Sequence, residues 1–158
     1  MSANNIGKFN EITGQVLACL YENFPVPLDL SPASIGIDEA PEGQYDPVSG
    51  FFAGGKPKTD EELFFGHSVA WLIATGYLSA ERLFPGASFR QAILTAKGLE
   101  VLKATPASLS SSSSFGEQLQ TAAKDGMLDT IKSLTNEALS RGVGLATSAA
   151  VAWANSQG

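Results

Sequence analysis

Residues 59–105 read TDEELFFGHSVAWLIATGYLSAERLFPGASFRQAILTAKGLEVLKAT, and this run decides the fold. It opens with a helix start. Thr59 can accept the Glu62 N–H while the Glu62 carboxylate reaches back to the Thr59 N–H, and Asp60, Glu61 and Glu62 all sit at the positive end of the helix dipole. Phe65, Val69, Leu72 and Ile73 then share one face, and Gly76 is placed to end the helix in a left-handed turn. The spacing predicts a helix over 60–75. Residues 77–82 alternate loosely, Pro85-Gly86 marks a tight turn, and residues 89–94 return as an antiparallel partner. Thr95 caps a second helix over 95–104, with Ala96, Leu99, Val101 and Leu102 on its buried side and Pro106 as its stop. A two-stranded ribbon this short needs something to pack on, and the two helices supply it.

Toward the N-terminus, Phe9, Ile12, Val16, Leu20 and Phe24 make an amphipathic series, which predicts a helix over 9–23 ended by Pro25. Residues 26–30 read as a short edge strand, where Pro27 is tolerated. Ser31-Pro32 is a cap followed by proline at the first helical position, so a brief turn over 32–35 is expected, closed by Gly36. Residues 36–58 form a long loop rich in glycine and proline. Such a loop inside a compact domain is functional or an insertion. Its aromatic residues, Tyr45, Phe51 and Phe52, are expected to pin it to the core.

The chain has 158 residues, 44% hydrophobic and 16% charged, which suits one globular domain with one appended element. Sixteen acids against ten bases, a formal charge of −6, argue against a surface broadly coated by nucleic acid, while leaving room for a local basic patch. From Lys56 to Lys103 there are six bases and five acids, so any such patch lies on this segment. Cys19 is the single cysteine, beside the apolar face of the first helix, and a buried structural thiol is expected. The opening residues, MSANNIGKF, carry no long apolar run, so a cytoplasmic location is the expectation.

Chemistry is sparsely supplied. Gly50-Phe51-Phe52-Ala53-Gly54-Gly55-Lys56 satisfies the G-x-x-x-x-G-K spacing of a phosphate loop. The next residue is Pro57, which has neither a hydroxyl for magnesium nor an N–H for phosphate, and no hydrophobic strand precedes Gly50. His67 is the only histidine and lies opposite the apolar face of its helix, with no cysteine pair to build a zinc site and no G-x-S-x-G elbow to serve. No catalytic residue, metal or cofactor is assigned, and an enzyme is not expected.

The order of a helix, a short strand, a helical turn, the helix over 60–75, the ribbon over 77–94 and a closing helix resembles a winged helix-turn-helix domain over residues 8–106. The residues that carry the resemblance are Val69, Leu72, Gly76-Tyr77-Leu78 and Leu94-Thr95-Ala96-Lys97-Gly98-Leu99. The implied fold class is mainly α with a small β-wing. In DNA-binding members the helix before the wing enters the major groove, and the wing touches phosphate or the minor groove. By position the resemblance implies Lys56, Lys58, Arg82, Arg90 and Lys97 as phosphate contacts, and an outer helix face of Asp60, Phe64, His67 and Trp71. Two features depart from that pattern: three acids open the helix, and its outer face is aromatic where Arg, Asn or Gln would read bases. The loop 36–58 also replaces a tight turn.

After Pro106 the composition changes. Residues 107–114 form a Ser-rich linker and residues 115–158 a helical tail, a C-terminal helical extension in which Leu119, Ala122, Leu128, Ile131, Leu134 and Leu139 have helical spacing. Gly142 is expected to interrupt that helix. Gly142, Ala146, Ala150 and Ala154 then fall every four residues and suit close approach of a second helix, so self-association as a dimer through the tail is expected, with a plain internal helix hairpin as the alternative; the segment is too short to span a bilayer. Two functions follow. The first is a winged-helix transcriptional regulator that binds DNA as a dimer. The second is a winged-helix protein-interaction module without DNA binding, which uses Phe64, His67, Trp71 and the helical tail.

Overall fold

The computed structural model describes residues 4–83, 87–104, 106 and 113–157, and of 143–157 the backbone alone. Its centre is helix α1 (Asn5–Asn23). The helix starts four residues earlier than the apolar series because Asn4 is its cap, the side-chain oxygen accepting the Gly7 N–H at 3.1 Å. Burial covers more than the expected stripe: Thr13, Gly14, Leu17 and Ala18 are buried along with Ile12, Val16 and Leu20, so α1 is packed on two sides.

On one side lies a three-stranded antiparallel sheet in the order β1-β5-β4, formed by β1 (Leu28–Leu30), β4 (Leu78–Leu83) and β5 (Ser88–Leu94). β1 is an edge strand, and Pro27 falls just outside it. The expected ribbon is present, while its Pro85-Gly86 turn lies outside the described residues. β5 carries one extra residue against both neighbours: Leu28 and Leu30 oppose Ala92 and Phe89, and Ser79 and Glu81 oppose Ile93 and Arg90. Gln91 absorbs this bulge at φ +53°, and its N–H donates to Asp29 Oδ1 at 3.1 Å.

The turn over Pro32–Ile35 is a 3-10 helix boxed by Ser31 and Ser34 and closed by Gly36 at φ +83°. Helix α2 (Asp60–Ala74) has the expected capping box, with Glu62 N–H on Thr59 Oγ1 at 3.2 Å and Thr59 N–H on Glu62 Oε2 at 2.6 Å. It ends as expected at Gly76, φ +84°, where the Tyr77 N–H returns to Leu72 O at 2.9 Å. Helix α3 (Ala96–Lys103) is capped by Thr95 and buries Gly98, Val101 and Leu102. Ala96, expected on the buried side, is exposed because it stands at the first helical position, away from the core.

The other side of α1 is covered by α4 (Phe115–Asp125) and α5 (Leu128–Gln157). Ser114, read from sequence as the end of a linker, is the N-cap of α4, in a capping box with Glu117. Phe115, Leu119, Ala122, Ile131, Leu134 and Ala138 join the same core as Ile12, Leu72 and Phe89. Two glycines permit the approach. A Cβ on Gly14 would lie 2.2 Å from Thr135 Oγ1, and one on Gly116 would lie 2.6 Å from the Tyr21 ring. Gly142 does not interrupt the tail: α5 runs through it, and its lack of a side chain accommodates the Tyr77 hydroxyl, 2.0 Å from where a Cβ would stand. Ala146, Ala150 and Ala154 lie on α5, with side chains outside the described residues.

Two sets of variants test this packing in denaturant melts. Leu72→Ala, at a fully buried site, is expected to cost about 2–5 kcal/mol, and Gly14→Val and Gly142→Ala about 1–3 kcal/mol each through overpacking. A chain ending at Pro106, which uncovers the α4- and α5-facing side of α1, is expected to lose its cooperative transition. A truncated chain as stable as the whole would refute the shared core.

Candidate interaction surface

The outer face of α2 is partly roofed by the start of α1. Asp60 and His67 are exposed. Phe64 is half-buried beneath the Lys8 ammonium, 4.9 Å from the ring centre. Trp71, 43% exposed, meets Phe9 edge-on at 5.2 Å and stacks on Tyr77 at 6.0 Å. These rings make a partly closed cluster with a chain neighbour on each side.

The five cations do not form one outward row. Lys97 Nζ donates to Thr75 O at 2.8 Å, at the negative end of the α2 dipole, and lies 4.3 Å above the Tyr77 ring. Lys58 pairs with Glu62 at 3.4 Å. Arg82 lies over Phe89, 5.8 Å from the ring centre, and its guanidinium approaches the Gly66 position on α2. Lys56 and Arg90 are exposed. Three of the five thus have intramolecular tasks.

Glu62 is the buried carboxylate of the region. It accepts the Thr59 N–H, the Ala40 N–H at 3.1 Å and the Lys58 ammonium. Burial opposes its charge, but the hydrogen bonds from Thr59 and Ala40, aided by Lys58, outweigh it and hold the carboxyl below its ordinary range. One oxygen starts α2 and the other ties down the loop 36–58, a contact 22 residues away in sequence.

That loop contains a second sheet, the hairpin β2 (Gln44–Asp46) and β3 (Phe51–Ala53), with Tyr45 opposite Phe52 and Asp46 opposite Phe51. The Lys56 N–H donates to Pro41 O at 3.0 Å below the base, where Gly43 and Gly55 come too close for side chains: a Cβ on Gly55 would lie 2.6 Å from Gly43 N. At the tip Asp46 accepts the Gly50 N–H through its carbonyl at 2.8 Å and the Val48 N–H through Oδ1 at 3.0 Å. The Ser49 side chain and that Val48 N–H hold the Asp46 carboxyl below its usual range.

The aromatic residues do not pin this loop to the core. Phe51 and Phe52 are 74% and 73% exposed, Tyr45 is 59% and Val48 is 94%. Tyr45 and Phe52 touch each other at 5.4 Å between ring centres. The hairpin stands on its own ladder, which points these side chains to solvent on either face. The G-x-x-x-x-G-K run forms this turn and strand, and no helix begins at Lys56 to complete a phosphate cradle. The signal overlooked in the sequence is Tyr45-Asp46 and Phe51-Phe52 flanking a Pro, Ser and Gly turn.

A groove of about 330 Å³ lies where α1, the 3-10 turn and α4 meet, lined by Gln15, Cys19, Glu22, Ile35, Gln120 and Lys124. Cys19 is half-buried there, and burial, with Glu22 nearby, pushes its thiol up, which keeps it protonated at neutral pH. Among the described residues no cluster of His, Cys, Asp or Glu could hold a metal ion, and no helix is long and apolar enough to cross a membrane. No protein-family model, curated protein or solved structure matches the chain.

The clamp is tested through pH. The Glu62 carboxyl is lowered in the folded chain, so the stability it adds is complete above its ordinary value of 4.5 and is lost as pH falls through the folded value. Glu62→Gln is expected to lower stability by about 1–3 kcal/mol at neutral pH. The gap to the parent should narrow below the ordinary carboxylate range in parallel acid-denaturation curves. A gap independent of pH would show that the charge on Glu62 does not matter.

Proposed function

We propose that the chain is a winged-helix protein-interaction module that engages its partner through the β2–β3 hairpin. The observation that carries this reading is an ordered hairpin, inserted between the 3-10 turn and α2, that exposes Tyr45 and Phe52 on one face, Phe51 on the other and Val48 at its turn. An exposed apolar group of this kind on a hydrogen-bonded scaffold marks a contact site. The sheet order β1-β5-β4 and the placing of α2 before the ribbon support the winged-helix assignment. DNA contact has less support: Lys58, Arg82 and Lys97 serve the fold, and Asp60 and Glu61 stand exposed at the start of α2, where they would face phosphate.

Titration of labelled duplex DNA with the whole chain at about 50 mM salt is expected to give no saturable binding. Saturable binding that weakens on Lys56→Ala with Arg90→Ala would favour the DNA reading instead. Phe51→Ser with Phe52→Ser is expected to change stability by no more than about 0.5 kcal/mol, since both side chains are exposed. The same change should reduce the binding of a solvatochromic apolar dye to the folded protein. A large loss of stability would mean that the two rings serve the core.

A further inference from the structure

The exposed hairpin has three possible classes of occupant: a second copy, an anionic surface such as lipid or nucleic acid, and a different protein. The charges around it separate them. Asp38, Glu39 and Glu42 lead into the hairpin and are exposed, and Asp60 and Glu61 are exposed where the chain leaves it. Lys56 is exposed among them, while Lys58 is neutralised by Glu62. The apolar tip therefore rises from an acidic base, in a chain whose formal charge is −6. A second copy would bring the same acids against these, and an anionic lipid or nucleic acid would do so at higher charge density. Like charges set opposite each other across an interface suppress that pairing.

We propose that the hairpin inserts, with Phe51 on one face, Phe52 on the other and Val48 at its turn, into an apolar cleft of a protein partner whose rim is lined with lysine and arginine. The inference rests on the hairpin being the contact site and adds the chemistry of the partner. Rings supply the buried centre of such a contact, and the acids around the base meet the cationic rim. Rim charges of this kind act on encounter and on choice of partner more than on the final affinity. The hairpin is suited to insertion because its turn is held by Asp46 and its base by Pro41, Gly43 and Gly55, so little order has to be gained on binding.

The test uses the full chain and two labelled amphipathic peptides with the same leucine and valine pattern, one carrying lysine and arginine at its polar positions and the other glutamate. Phosphatidylglycerol vesicles and sedimentation of the protein alone cover the remaining occupants. The cationic peptide is expected to bind at least about tenfold more tightly than the anionic one, and to weaken as salt rises. Phe51→Ser with Phe52→Ser should abolish that binding without altering the thermal transition, and Glu39→Lys with Glu42→Lys should reduce or reverse the preference. Equal binding of both peptides, lost in the double serine variant, overturns the cationic partner and leaves the hairpin reading standing. Binding untouched by the serine variant overturns both. Vesicle binding or self-association lost in that variant, or no binding of either peptide, also overturns the proposal.

Discussion

Tyr77 is the residue on which the elements converge. It is 2% exposed, and its hydroxyl donates to Leu139 O at 3.1 Å, from the residue between Gly76 and β4 to a helix 62 positions away. Trp71 stacks on its ring and the Lys97 ammonium sits above it. Its own carbonyl accepts the Thr95 N–H at 3.1 Å, and a Cβ on Gly98 would stand 2.0 Å from that oxygen. Burial pushes the phenol above its ordinary value, so it remains a donor at neutral pH. The end of α2, the start of β4, the cap of α3 and the middle of α5 are thus placed against one residue, α3 on its carbonyl and α5 on its ring and hydroxyl. Gly98 and Gly142 are the positions where a larger residue would collide with it.

The same constraint explains why α4 and α5 form part of the core. Helix α2 and the three-stranded sheet leave α1 half uncovered, and α1 carries Gly14 on the side that they do not reach, against Leu119, Ile131 and Thr135. The α4–α5 pair fills it, and Lys132 and Lys124 reach Glu11 and Glu22 at 3.8 Å along the edges of the seam. The Lys124 pair is exposed, the Lys132 pair is half-exposed, and both are long, so they add little. The stabilisation comes from Phe115, Leu119, Ile131, Leu134 and Ala138 leaving water.

Much of this was legible because helix ends are written locally. Thr59 with Glu62, Ser31 with Pro32, Gly36, Gly76 and Thr95 each state a start or a stop in adjacent residues, and each element appears where they put it. Contacts between distant residues carry no such mark. Gly14, Gly116 and Gly142 look like neutral or helix-breaking residues until Thr135, Tyr21 and Tyr77 are found against them. Cation positions misled for the same reason. Lys97 reads as an exposed base on a helix, yet its target is a carbonyl 22 residues earlier. Of the candidate surface, the acidic start of α2 and the outward His67 were readable, whereas the exposure of Phe51 and Phe52 was not, because a pair of phenylalanines in sequence says nothing about which way a hairpin faces.

The arm that carries those phenylalanines is held at one end only. Glu62 joins Ala40 to the first turn of α2, Lys56 closes on Pro41, and beyond Gly43 and Gly55 no side chain of the hairpin is buried. The hydrogen bonds of such an arm ask for turn chemistry, which Asp46, Pro47, Ser49 and Gly50 supply, and for strand formers, which could as well be threonine. Nothing in the ladder requires rings. Tyr45 and Phe52 gain one contact with each other, while Val48 and Phe51 keep most of their apolar surface in water. Folding therefore accounts for the shape of the arm but not for the identity of its tip, and it is the identity of the tip that recognition of an apolar cleft would explain.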